Sequence, residues 1–175
     1  DGGIIVSNDY EKIKGFKEAT MNGMTYAHNN WDRNIQFPGY KMYMNSIQCY
    51  IANENLKLLD FKKMKLKTVR EKYNSNLGYN NTSDHLYRIN VSNRAEFINN
   101  MRKQNIVCGI HYDALHEVDV YRKAASRSHK LTDETCINSS KISKQTVSIP
   151  FHEKLTTEEV KLIIKNVKRY SNGAI

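Results

Sequence analysis

The sequence predicts an α/β fold: a small three-stranded sheet with helices, preceded by one long connecting helix. Three observations predict it. From Met44 to about Tyr73 the apolar residues recur at three- and four-residue steps, and no Pro or Gly interrupts them. From His85 to Tyr112 an alternating stretch, a helical stretch and a further strand-like stretch follow one another closely, as in a compact α/β unit. Near the end, "TVSIP" and "TTEEVKLIIKNVKRY" supply a third strand and an amphipathic helix.

Taken in order, "IIVS" (Ile4–Ser7) has the β-branched composition of a short strand. "SNDYEKIKGFKEA" is a helix with Asn8 or Asp9 as its N-cap. "TMNGMTYAHNNWDRNIQFPGY" is expected to be irregular, because Gly23, Pro38 and Gly39 break it. The stretch from Met44 to Tyr73 is one long helix, with room for a bend, carrying Met44, Ile47, Ile51, Leu58, Leu59 and Val69 on its periodic positions. Its second half is basic from Lys57 to Lys72, a pattern that suits a solvated face before it suits nucleic acid.

"NSNLGYNNTSD" is a polar loop, and "HLYRINV" (His85–Val91) alternates as a strand does. Ser92 is placed as the cap of "NRAEFINNMRKQ", whose apolar positions are Phe97, Ile98 and Met101. "IVCGIHY" (Ile106–Tyr112) is the next strand, and the polar region from Arg122 to Gln145 has room for a short helix near Thr132–Ser143. The last helix starts at Thr156 or Thr157, with Glu158 and Glu159 in its first turn and basic residues in its last.

Composition narrows the function class. The chain has 175 residues, 39% hydrophobic and 26% charged, enough for an ordinary core. Its net charge of +9 favours anionic partners. No apolar run is long enough to span a membrane, and no secretory leader is expected. Cys49, Cys108 and Cys136 are odd in number and irregular in spacing, which favours a reducing compartment such as the cytoplasm. The first residue is Asp1 and not Met, and the strand-like "GGIIVSND" opens the chain abruptly. The chain is therefore expected to be the C-terminal piece of something longer, or a truncated or processed product.

Cys108, His111 and His116, with Asp113 and Asp119 beside them, are residue types that zinc takes. Their spacing lacks a second ligand pair, so no metal site is expected; Cys108 is expected in the strand interior and the histidines in a cleft. A Cys108–His111 nucleophilic pair is disfavoured, because residues three apart on a strand point to opposite faces. Phosphate-binding glycine loops and the nucleophile elbow are missing from the sequence.

Four segments in succession carry a resemblance: "DGGIIVSND"; "PGYKMYMNSIQCYIA"; "HLYRINVSNRAEFINNMRKQNIVCGIHYDALHEVDVYR"; and "VSIPFHEKLTTEEV". Together they resemble the C-terminal half of the DegT/StrS-type nucleotide-sugar aminotransferases, which are fold type I enzymes dependent on pyridoxal 5'-phosphate (PLP). The resemblance implies that residues 1–43 are a remnant of the large PLP-binding domain, 44–73 the connecting helix and 74–175 the C-terminal small α/β domain. It implies transfer of an amino group from glutamate to a nucleotide-linked keto-sugar, in a homodimer with shared active sites.

In the family, the turn at "PGYKMY" reaches the neighbouring subunit's cofactor phosphate through an Asn. Lys41 occupies that position here, and Tyr43 stands at the position of the family's Arg, on the substrate side. His111, Tyr112 and His116 match the family's substrate-side "His-Tyr…Leu-His" residues, whereas Asp113 and Asp119 stand where Pro is common. His152 is expected to fix a strand end. The family's Schiff-base lysine lies just upstream of the segment matched by Asp1; Lys12, Lys14 and Lys17 fall on the wrong side of the motif. The isolated chain is accordingly expected to be inactive. The alternatives are a non-catalytic split or truncated module and, less favoured, a basic nucleic-acid-binding α/β domain.

Overall fold

Helix α7, Thr157–Tyr170, shows how the sequence builds the core. Val160, Ile163 and Val167 fall on one face at steps of three and four, and all are buried. Thr156 and Glu159 form a reciprocal capping box that satisfies two of the backbone N–H groups a helix start leaves open. The computed structural model describes residues 2–26, 33–125 and 135–171. They belong to two units, Asp1–Leu59 and Asp60–Ile175.

In the first unit α1, Tyr10–Thr20, starts at Asp9, whose side chain accepts the Lys12 N–H. The expected irregular stretch instead contains a short antiparallel hairpin, β1 Met24–Tyr26 with β2 Arg33–Ile35. Backbone bonds from Tyr40 to Ala19, Asn22 to Tyr40 and Met42 to Thr20 lay the following segment along the end of α1. Two glycines permit this approach. Gly23 has φ +71°, and a Cβ there would lie 1.8 Å from the Phe37 carbonyl; one at Gly39 would lie 2.2 Å from the Gly23 nitrogen.

Ile4–Ser7 does not form the expected strand. Its composition suits one, but a strand exists only with a backbone partner, and among the described residues none runs beside it. Helix α2, Ser46–Lys57, is opened by an Asn45–Gln48 capping box. The single helix expected from Met44 to Tyr73 is thus two, α2 and α3 (Leu59–Leu77), with the helical ladder interrupted at Leu58. Among the described residues of this unit Gly23 alone is buried.

The second unit holds the core. Helix α3 contributes Val69, Tyr73 and Leu77, one residue per turn on one face. Strand β3, Tyr87–Asn90, pairs antiparallel with β4, Thr146–Ile149, in the register Tyr87 to Ile149 and Asn90 to Thr146. One face of this ladder presents Tyr87, Ile89, Val147 and Ile149 to Phe97 and Met101 of α4 (Arg94–Arg102) and to α7. Each fully buried side chain of this size contributes about 1.5–3 kcal/mol. The rings of Tyr73 and Tyr87 meet edge to face at 4.9 Å. The Tyr73 hydroxyl donates to the Pro150 carbonyl at 2.9 Å and the Tyr87 hydroxyl to Asn74 at 2.8 Å, so neither buried phenol is left unpaired.

Three details of this unit depart from expectation. Asn93, not Ser92, caps α4, because the Asn93 side chain reaches the Glu96 N–H. Ile106–Tyr112 is not a full strand: only Gly109 pairs, exchanging two backbone bonds with Ser148 at 2.9 and 2.8 Å, so the expected three-stranded sheet is a two-stranded ladder with one added bridge. A helix not anticipated, α5 Asp119–Ala125, follows a 3-10 turn at Leu115–Glu117. The helix expected near Thr132–Ser143 is α6, Ile137–Gln145; residues 132–134 lie outside the described residues. Among the described residues no helix is long and apolar enough to cross a membrane.

Candidate functional site

The period of two that buries one face of the β3–β4 ladder turns the other face into a polar floor. Arg88 lies opposite Ser148 and Asn90 opposite Thr146, and these are the side chains left on that side. The bridge at Gly109 brings the segment after it alongside Ser148, and α6 runs directly into β4. Between them opens a cleft of about 390 Å³ lined by Arg88, His111, Tyr112, Leu115, His116, Ser139 and Thr146 among others.

His111, Tyr112 and His116 are therefore brought together, but in different states. The His111 ring folds back over Gly109, where a Cβ would lie 2.6 Å from it, and its Nδ1 sits 2.9 Å from the buried Ser148 hydroxyl. Tyr112, joined to His111 by a cis peptide bond, meets that ring edge-on at 5.0 Å and is 70% exposed. His116 is buried, with Nε2 2.8 Å from the Ser140 hydroxyl on α6. The Ser140 hydroxyl and then Lys144 hold the Glu117 carboxyl below the usual carboxylate range. One α6 serine thus ties both His116 and Glu117 to that helix. His111 and His116 are braced, whereas Tyr112 is presented outward.

The departures noted in the sequence have local explanations. Asp113 accepts from Arg94 of α4 at 3.2 Å, so its carboxylate serves an ion pair on the rim of the cleft. Asp119 opens α5, where the helix dipole favours an acid. The His152 carbonyl accepts the Leu155 N–H in the turn after β4. Cys108 packs against the core, and burial pushes its thiol up to about 11, so it carries no thiolate character at neutral pH. Among the described residues no group of three His, Cys, Asp or Glu side chains is disposed to hold a metal ion.

In the first unit, Lys41 sits on the turn held by Gly23 and Gly39 and makes a bridge with Met21. Its Nζ lies 5.7 Å from the centre of the exposed Tyr43 ring. No carboxylate pairs with Lys41 among the described residues, which leaves an outward ammonium steadied by an aromatic face. Such a group suits a phosphate as a point charge.

Sequence reasoning missed Arg88, Ser148 and the α6 serines. The signal for Arg88 was present: in "YRIN" the alternation that buries Tyr87 and Ile89 sends Arg88 to the other face.

Comparison with known proteins gives a consistent result. The model of the DegT/DnrJ/EryC1/StrS aminotransferase family matches residues 1–168. MJ1066 of Methanocaldococcus jannaschii, an uncharacterized protein, is 24% identical over 97% of this chain and 49% of its own length. SpsC of Bacillus subtilis, a spore coat polysaccharide biosynthesis protein, is 22% identical over 99% of the chain and 50% of its own length. Among solved structures, the PMP form of Spr1654 from Streptococcus pneumoniae aligns with a TM-score of 0.79 at 20% identity, covering 99% of this chain and 48% of that one. PseC of Helicobacter pylori, an aminotransferase of pseudoaminic acid biosynthesis, aligns with a TM-score of 0.78 at 19% identity, covering 95% of this chain and 48% of that one. These structural likenesses show the shared α/β fold, and the chain spans about half the length of the relatives it matches.

Proposed function

Because the chain belongs to the DegT/DnrJ/EryC1/StrS aminotransferase family, we propose that it is the C-terminal portion of a PLP-dependent aminotransferase acting on a nucleotide-linked keto-sugar. On this reading glutamate is the amino donor, and the enzyme works in the cytoplasm as a homodimer. The observation that carries the proposal is the family match over nearly the whole chain. The names of SpsC and PseC support a role in polysaccharide or amino-sugar synthesis. The first unit supports membership in a larger body: Ile4, Ile5, Val6, Ile47 and Tyr50 are all exposed, and among its described residues almost nothing is buried.

The cofactor, when bound, supplies the electron sink through which an amino group passes between carbons. This chain's residues supply positioning. Lys41 would hold phosphate oxygens by charge-assisted hydrogen bonds, across the dimer interface, with the Tyr43 ring 5.7 Å from its ammonium. Tyr112 offers a hydroxyl donor and acceptor to the substrate from the cleft rim, while His111 and His116 hold that rim in shape. Residues 1–43 then belong to the large PLP-binding domain, 44–73 to the connection and 74–175 to the small domain. The lysine that carries the cofactor is assigned to a segment outside this chain.

The test is Lys41→Ala in a longer form of the protein that contains that lysine. Loss of a charge-assisted hydrogen bond of about 1.5–3 kcal/mol loosens PLP roughly tenfold or more. In mixed dimers the defect falls in the partner's site. Unchanged PLP affinity would reduce the turn to a packing element.

A further inference from the structure

Arg88 is the permanent cation on the floor of the β3–β4 cleft. Two acids of the segment that borders this cleft are already engaged: Asp113 with Arg94 at 3.2 Å, and Glu117 with Lys144 at 3.2 Å. Arg88 itself is exposed and makes no hydrogen bond or ion pair among the described residues. It projects from the second residue of a paired strand, so its backbone is fixed while its guanidinium stays open. Tyr112, Ser139 and Thr146 line the same space, beside an apolar wall of Ala114, Leu115 and Ile142.

We infer that Arg88 is the anion anchor of this cleft and takes the phosphate oxygens of a diphosphate ester. A rigid planar fork of donors matches two oxyanion oxygens at once, which a lysine cannot do. A lone carboxylate satisfies the fork but leaves most of a cleft of about 390 Å³ unused; a diphosphate ester presents oxyanions to Arg88 and an organic body to the apolar wall. The identity of the group attached to the phosphates rests on the proposed nucleotide-sugar reading, whereas the assignment of Arg88 rests on the cleft.

The experiment is calorimetric titration of the 175-residue chain at low salt with uridine diphosphate, inorganic pyrophosphate and glutamate. Both diphosphates are expected to bind. R88Q weakens both about tenfold or more, and R88K, which keeps the charge and loses the fork, weakens them less. K103Q, a charge change at the far end of α4, leaves them unchanged. Arg88 is on the surface, so R88Q keeps the fold, which circular dichroism verifies. Diphosphate affinity unchanged in R88Q, no diphosphate binding at all, or a loss confined to glutamate overturns the inference. Pyrophosphate binding that depends on Arg88, with uridine diphosphate no tighter, upholds Arg88 and removes the nucleotide from the proposed function.

Discussion

His111 and Tyr112 are neighbours in sequence with opposite structural roles, and replacing them separately distinguishes those roles. His111→Ala removes the ring whose Nδ1 lies 2.9 Å from Ser148 Oγ, and Ser148 is only 5% exposed. Leaving a buried hydroxyl without its partner costs about 1–3 kcal/mol. In a chain of this length each kcal/mol lowers the melting temperature by about 2–4 °C, so a drop of several degrees is expected. Tyr112→Phe removes a hydroxyl from a side chain that is 70% exposed, and its effect on stability stays within about 0.5 kcal/mol. The assays are scanning calorimetry of both variants and, in a longer active form, steady-state kinetics on the same preparations. Tyr112→Phe lowers kcat/KM for the sugar substrate and leaves PLP bound. Equal melting losses for the two variants, or an unaltered kcat/KM in Tyr112→Phe, would refute the division of roles.

Three further outcomes follow from other parts of the fold. Thr156→Ala removes one half of the α7 capping box and lowers stability by about 1 kcal/mol, measured by urea unfolding. Glu159 is held below its usual carboxylate range by the Thr156 N–H and then its hydroxyl, so its contribution is complete above about pH 4.3 and is lost as pH falls through the lowered folded value; E159Q flattens that acid limb of the stability profile. At pH 8, iodoacetamide labels the exposed Cys49 well before Cys108, whose thiol burial has pushed up to about 11; peptide mass spectrometry reads the order.

What the sequence makes legible is governed by how local the physics is. Helix α7 is visible from its own residues, because cap, acidic first turn and apolar face all lie within one segment. Strands β3 and β4 show for the same reason: one alternates and the other is buried throughout. Ile106–Tyr112 fails because strand composition does not create a partner, and only Gly109 finds one. The β1–β2 hairpin was hidden by strands of three residues each, too short to show a period. In the site, the cluster of His111, Tyr112 and His116 was visible as a motif. The bracing of His111 by Ser148, 37 positions away, was not.

The most direct test of the central claim compares aminotransfer by this 175-residue chain with that of a longer form containing a cofactor-bearing lysine. Both receive PLP, glutamate and a nucleotide-linked keto-sugar, and the amino-sugar product and 2-oxoglutarate are followed by mass spectrometry. Matched formation of both products is expected from the longer form and neither from the chain alone. Turnover by the chain alone, with borohydride fixing the cofactor to one of its own lysines, would contradict it, as would a longer form that binds PLP and aminates no nucleotide-linked keto-sugar.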